Sequence, residues 1–172
     1  MIQRIQSLFL LLAAACYVWG AFLPIASLYP KQAGEEHWIL VEDGTETPVS
    51  EYAYSAWTVS DTDGNVIART APIAVLELLL GVCAIVVLFL FKNRKLQAKL
   101  CLGHVFFGFV LLALMLFVYP DMLFPKHAAL KGVETVYSLW TLVPMVGILL
   151  VYVAQKFILK DEKLVRSSER LR

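Results

Sequence analysis

The chain alternates long apolar runs with short polar segments, and four of the runs are long enough to be membrane-spanning helices. They cover about 7–28, 71–91, 100–123 and 136–159. A helix needs about 20 apolar residues to cross a hydrocarbon core of about 30 Å. Because little chain remains outside these runs, the pattern predicts one integral membrane domain over 1–172. The predicted fold is an all-α membrane protein, a four-transmembrane-helix bundle.

The first apolar run allows a second interpretation, because small residues precede Cys16 in LLAAACYVWG, as in the processing site of a lipoprotein. A processed lipoprotein continues into a polar tether, whereas this chain continues with YVWGAFLPIASLY after Cys16. A cleaved signal peptide also has a shorter apolar core. The permanent membrane helix is therefore favoured, and a lipidated Cys16 is the open alternative.

The segment 30–70 between the first two runs has the pattern of β-hairpins. HWILVEDGTETPV and WTVSDTDGNVIART each suggest two strands around a turn, with Asp43-Gly44 and Asp63-Gly64 at the turns. Asp-Gly supplies the positive φ that tight hairpin turns need. We therefore predict a small extracytoplasmic β-hairpin cap between helices 1 and 2, acting as a structural cap or as a recognition surface. One face of this sheet is predicted to carry Trp38, Leu40, Trp57, Val59, Val66 and Ile67.

Lys and Arg are concentrated on one side of the predicted membrane. They cluster near the N-terminus, in KNRKLQAK between helices 2 and 3, and in the basic tail 160–172. Cytoplasmic loops carry an excess of these residues. We therefore expect a bacterial inner-membrane protein with both termini in the cytoplasm. The hydrophobic fraction of 59% and the mean hydropathy of +0.70 agree with a membrane protein.

These cations predict a surface, named here the basic inner face. Membrane lipids with anionic headgroups are its simplest partners, and a membrane or cytoplasmic protein is the alternative. Nucleic acid is not expected, because no aromatic stacking residue is interleaved with the charges. A homo-oligomer is a further open alternative. The candidate residues of the basic inner face are Arg4, Lys92, Arg94, Lys95, Arg166 and Arg170.

Glu77 is the strongest signal from a single residue, because an ionisable group inside a transmembrane segment is costly and is by default a functional-site hypothesis. Small residues share its helical face, which predicts that Glu77 points into the bundle. These small residues are Ala74, Gly81 and Ala84. We expect a neutral Glu77 that hydrogen-bonds across helices, with Ser138 and Thr141 as candidate partners. The alternative is a proton or cation site in a transport path.

A second polar cluster is expected at the cytoplasmic end of the bundle. His104 lies near the inner end of helix 3, too far in depth from Glu77 for direct pairing. Glutamines of helices 1 and 4 lie at its level, so we predict inter-helix hydrogen bonds, with pH sensing or ligand binding as the alternative. This inner polar cluster comprises Gln3, Gln6, His104 and Gln155. One continuous face of helix 1 comprises Gln3, Gln6, Leu10, Ala13, Tyr17, Gly20 and Pro24.

Pro24 adds a possible partner for Glu77. A proline inside a helix leaves the carbonyl four residues earlier without its donor. Because the predicted helix 1 runs through Pro24, the freed carbonyl is that of Gly20, which is a candidate partner of a protonated Glu77.

Three stretches resemble a known family: MIQRIQSLFLLLAA, LFLFKNRKLQAKLC and LKDEKLVRSSERLR. They are similar to the uncharacterised Bacteroidetes four-helix inner-membrane protein family, the domain of unknown function 4293 family. The resemblance implies four spans with both ends inside, and it implies no enzyme activity. All three stretches lie at or near the inner face, which suggests that this face meets a specific partner.

No catalytic arrangement of side chains is visible in the sequence, whether Ser–His, paired Asp, His-rich metal or Cys pair. Cys16, Cys83 and Cys101 all lie outside the outer loops, so no outer disulfide is expected. The sequence therefore predicts a non-enzyme without cofactor or metal. The favoured function is a non-catalytic scaffold or accessory subunit that binds partners through the basic inner face. A small transporter or channel element using Glu77 is the first alternative, and an intramembrane enzyme is the second.

Overall fold

The computed structural model describes residues 2–30, 38–40, 46–48, 51–91 and 93–170, which are mostly helical with a small antiparallel sheet. The helices are α1 (Ile2–Gly20), α2 (Ala71–Phe89), α3 (Arg94–Ala113) and α4 (Leu142–Arg170). The chain divides into two compact units. The helical unit contains Met1–Gly20, Val75–Leu112 and Leu142–Arg172, and the sheet unit contains Ala21–Ala74 and Ala113–Thr141.

Three helical stretches of the described chain are long and apolar enough to cross a membrane. They are Ala71–Phe89, Arg94–Lys126 and Leu139–Val165. The apolar part of α1, Ile5–Gly20, is shorter. These stretches indicate a membrane protein and agree with the second, third and fourth predicted spans.

The predicted first helix over 7–28 is wrong in its second half. Helix α1 ends at Gly20, and Pro24–Pro30 forms strand β1. Pro24 has no N–H to continue the helix and disfavours helical geometry at the residue before it. The β-branched Ile25 then favours an extended chain.

The other helix boundaries also differ from the prediction. Helix α4 begins at Leu142 and not at 136, because VETVY forms strand β7 (Val133–Tyr137). Its β-branched residues favour a strand over a helix. At its other end α4 continues to Arg170, so the predicted tail from residue 160 extends the same helix. Helix α3 starts at Arg94, earlier than predicted.

The sheet of the sheet unit is antiparallel with five strands in the order β6-β5-β4-β1-β7. Its other strands are β4 (Tyr52–Ser55), β5 (Thr58–Ser60) and β6 (Val66–Arg69). Strands β5 and β6 confirm the second predicted hairpin, and Gly64 in its turn has a φ of 80°. Strand β7 comes from the connection before α4, so the sheet is not built only from the loop between α1 and α2.

The first predicted hairpin is confirmed as strands but not as part of this sheet. Strands β2 (Trp38–Leu40) and β3 (Glu46–Pro48) pair antiparallel in a separate two-stranded sheet. Their predicted turn at Asp43-Gly44 lies outside the described residues. The predicted common face is therefore wrong, because Trp38 and Leu40 belong to the smaller sheet.

A π-helical segment, Leu114–Leu123, continues the chain after α3 and contains Pro120. Proline has no N–H, so in a π-helical turn the carbonyl five residues earlier, that of Met115, loses its donor. The Tyr54 hydroxyl donates to this carbonyl at 3.2 Å. The Tyr137 hydroxyl donates to the next carbonyl, that of Leu116, at 2.8 Å.

Candidate functional site: a buried polar column in the helical unit

Glu77 is fully buried, at 0% exposure, as the helical pattern predicted. The small residues on its face are buried with it, namely Ala74, Gly81 and Ala84. A Cβ placed on Gly20 would overlap Glu77 Oε1, so the carboxyl group lies directly against the end of α1. Neither carboxyl oxygen has a hydrogen-bond partner among the described residues.

The two side chains predicted as partners of Glu77 hydrogen-bond elsewhere. The Thr141 hydroxyl donates to the Ile25 carbonyl at 2.6 Å. The Ser138 backbone N–H donates to the same carbonyl at 2.9 Å, and its hydroxyl oxygen accepts from the Trp140 N–H at 3.4 Å. These bonds fasten the chain before α4 to strand β1 within the sheet unit.

Tyr17, in the middle of the buried face of α1, lies at the centre of the helical unit. It is 0% exposed, and its hydroxyl has no hydrogen-bond partner in the described chain. One glycine from each of the other helices approaches it. A Cβ would lie 3.5 Å from Tyr17 Cβ at Gly81, 3.4 Å from its hydroxyl at Gly108 and 3.1 Å from its ring at Gly147. The absence of three side chains therefore makes room for one tyrosine.

His104 packs on the same tyrosine. The two ring centroids are 5.2 Å apart, with an angle of 56° between the ring planes. His104 is 2% exposed, and neither of its nitrogens has a hydrogen-bond partner among the described residues. The structure thus places His104 beside Tyr17, and it does not join His104 by hydrogen bonds to the predicted glutamines.

The glutamines of the predicted inner polar cluster have separate environments. Gln6 is buried, and its amide nitrogen has no partner within the described part of the chain. The Gln155 side-chain amide donates to the Ala98 carbonyl at 3.2 Å. The Gln3 side chain lies outside what the structure describes.

Gln97 was missed by the sequence analysis. It is buried and donates to the Val87 carbonyl at 3.0 Å, joining α3 to α2. The sequence signal for its burial was its place in a series of four buried residues of α3 spaced by four, three and four. The other three residues of this series are Cys101, His104 and Gly108.

Four buried side chains of the helical unit thus carry polar atoms without a hydrogen-bond partner among the described residues, and we call them the polar column: Glu77, Tyr17, His104 and Gln6. Leaving a buried donor or acceptor unpaired costs about 1–3 kcal/mol for each group. Native proteins satisfy such groups with water, ions or ligands. The column is therefore the strongest candidate site in the described part of the helical unit.

The basic inner face is partly described. Arg94 Nη1 lies 2.8 Å from Asp161 Oδ2, which pairs the start of α3 with the basic end of α4. A neighbouring cleft of about 310 Å³ is lined by Lys95, Lys99, Gln155 and Glu162 together with Ala98, Leu102 and Leu159. Lys92 and the side chains of Arg4, Arg166 and Arg170 lie outside the described structure.

No curated protein and no solved structure matches the chain in comparisons with known proteins. One protein family does match, and it covers residues 2–171, which is essentially the whole chain. The matched length agrees with the resemblance of the N-terminal, central and C-terminal stretches. The chain therefore belongs to the family described as domain of unknown function (DUF4293).

Proposed function

We propose that this chain is an inner-membrane protein with four spans and both termini in the cytoplasm. In this proposal it is a non-catalytic accessory subunit or scaffold whose basic inner face binds a partner protein, with anionic lipid around it. The cytoplasmic position of this face follows from the distribution of Lys and Arg.

The observation that carries the proposal is the continuous helix α4, which runs for 29 residues from Leu142 to Arg170. Its first part is apolar, and its last turns carry the sequence KDEKLVRSSER. The Arg94–Asp161 ion pair holds these last turns to the start of α3. A partner would therefore meet a surface whose helical backbone is already formed, which reduces the entropy lost on binding.

Orientation is the first prediction to test. An alkaline phosphatase fusion after Asp61 is expected to be active, and a fusion after Lys95 is expected to be inactive, because this enzyme needs the extracytoplasmic side to fold. Activity is measured in whole cells and divided by the amount of fusion protein. The reverse pattern would place the basic face outside and contradict the proposal.

Partner binding is tested by affinity purification of the full chain from native membranes in mild detergent, read by quantitative mass spectrometry. Arg94→Asp and Asp161→Arg are each expected to lower recovery of a stoichiometric partner about fivefold, since a partly exposed ion pair contributes ~1 kcal/mol. The double swap Arg94→Asp with Asp161→Arg restores an opposite-charge pair and should recover most of the partner.

Lys131→Glu is the matched control, because Lys131 is an exposed cation of the sheet unit. It should leave partner recovery unchanged. A partner lost equally from the Lys131 variant would show non-specific charge binding. A partner retained by every variant, or no partner at all, would refute the role proposed for the basic inner face.

A further inference from the structure

The polar column contains two titratable side chains, Glu77 and His104, with a tyrosine hydroxyl between them. Glu77 and His104 come from α2 and α3, and Tyr17 comes from α1. All three side chains are at most 2% exposed, and none has a hydrogen-bond partner in the described part of the chain. A carboxyl, a hydroxyl and an imidazole group that are buried together on three helices have the chemistry of proton relays in membrane proteins.

The three members are connected through neighbouring positions of α1 and α3. Glu77 touches Gly20, which lies three residues after Tyr17 on the same face of α1, so the backbone positions of Gly20 and Tyr17 are about 4.5 Å apart along the helix axis. The Tyr17 hydroxyl reaches Gly108, which lies one turn after His104 in α3, and the two rings are in contact. Ordered water can bridge polar groups that lie too far apart for a direct hydrogen bond.

The described neighbours of these three side chains are thiols and apolar groups. Besides Glu77 and His104, the titratable neighbours of Tyr17 are the thiols of Cys16 and Cys83. Helix α4 brings apolar side chains against the glycines of this region, Pro144 at Gly20 and Ile148 at Gly108. Neither Glu77 oxygen accepts a hydrogen bond from a lysine or arginine of the described helical unit.

We propose that Glu77, Tyr17 and His104 bind internal water and form a proton-relay path inside the helical unit. Glu77 and His104 are the two groups that take up and release protons, and the Tyr17 hydroxyl connects them through hydrogen bonds. This inference does not depend on the accessory function proposed above.

Each step moves one proton and leaves the chain unchanged after the cycle. A hydrated proton reaches the Glu77 carboxylate, where an O–H bond forms and neutral water is left behind. The carboxylic acid then passes its proton through water to the Tyr17 oxygen, whose own O–H bond breaks as its proton passes to a nitrogen of His104. The imidazolium releases a proton from its other nitrogen to water on its far side. Rotation of the hydroxyl and return of the imidazole to its first tautomer restore the starting state, so charge and protons balance.

The test is proton flux in proteoliposomes that contain the purified full chain, a trapped pH-sensitive dye and a potassium diffusion potential set with valinomycin. Wild-type vesicles should change internal pH faster than protein-free vesicles. Glu77→Gln, His104→Gln and Tyr17→Phe should each lower this protein-dependent rate by about tenfold or more, the scale of losing one positioned proton-transfer group.

Tyr152→Phe is the matched control for Tyr17→Phe, because Tyr152 is 44% exposed on α4 and lies outside the column. It should keep the wild-type rate. Wild-type flux equal to that of protein-free vesicles would overturn the proposal. Equal flux in wild type and Tyr17→Phe would overturn it as well, since this variant removes a single oxygen atom and keeps the ring.

A second measurement covers the case in which Glu77→Gln fails to accumulate. The carboxylic acid band in the infrared difference spectrum between high and low pH should be present in wild type and should shift in His104→Gln, because Tyr17 and its bound water couple the two groups. A band unaffected by His104→Gln would show that they are not connected and would refute the relay.

Discussion

Replacing Gly108 by alanine should destabilise the protein by about 1–3 kcal/mol, the usual cost of inserting extra methylene groups into a packed interior. A Cβ at Gly108 would lie 2.6 Å from Ile148 Cγ1 and 3.4 Å from the Tyr17 hydroxyl. Cγ1 is not the flexible end of Ile148, so α3 and α4 would have to move apart. Thermal unfolding in detergent, followed by tryptophan fluorescence, measures the change.

Gly103 on the same helix provides the control, because a Cβ there meets nothing within 4 Å. Gly103→Ala should be neutral or stabilising, since alanine is favoured over glycine in a helix by about 1 kcal/mol. Gly108→Ala should cost less in an Ile148→Ala background than in wild type, because the shortened side chain removes the overlap. If Gly108→Ala and Gly103→Ala unfold at the same temperature, the close packing of α3 against α4 is contradicted.

Replacing Tyr54 by phenylalanine should also be strongly destabilising, by about 1–3 kcal/mol, because it leaves the Met115 carbonyl unpaired in the interior of the sheet unit. Tyr54 is 0% exposed, and its ring packs edge-on against Phe124 at 4.9 Å. The phenylalanine ring would keep that contact, so the change in the free energy of unfolding would report the removal of the hydroxyl group alone. Burial raises the pKa of Tyr54, so the hydroxyl remains a donor and the loss should be the same across neutral pH.

Pro120 allows a double-mutant cycle that tests the cause of this loss. Pro120→Ala supplies the N–H that a π-helical turn would direct to the Met115 carbonyl. Tyr54→Phe should therefore cost less in the Pro120→Ala background than in wild type. Tyr52→Phe is a control tyrosine change on the same strand. Equal costs of Tyr54→Phe in both backgrounds would show that the hydroxyl does not replace the missing N–H.

Which helix faces are buried in the helical unit could largely be predicted from the positions of small and polar residues in the sequence. The face of α2 that carries Glu77 is buried as predicted. The residues grouped on one face of α1 are buried too, among them Gln6, Tyr17 and Gly20. Glu77 lies against Gly20, but the expected hydrogen bond to the Gly20 carbonyl is absent, and Pro24 lies beyond the end of α1. Such predictions succeed because the period of a helix is set by local geometry.

The periodicity of the sequence could not predict the five-stranded sheet or the hydrogen-bond partners of the polar side chains. Most of β1 and the last two residues of β7 were assigned to helices because they adjoin apolar runs. The pairing of these strands joins residues far apart in the chain. Tyr17 can occupy the centre of the helical unit because three glycines from the other helices pack against it. These contacts join distant parts of the chain, so a local sequence pattern cannot predict them. The partners of Thr141 and Ser138 were missed for the same reason, since Ile25 was expected inside a helix.

The position of β1 in the sheet has a consequence for biosynthesis. Ala26 pairs with Tyr54 on one side and with Tyr137 on the other, so one edge of β1 stays open until residues 133–137 are made. At about 5–20 residues per second, the ribosome needs several seconds to pass from β6 to β7. An unpaired strand edge is a template for pairing with another chain. Rapid overproduction, which brings many nascent chains together during that interval, is therefore the condition under which this protein is most prone to aggregate.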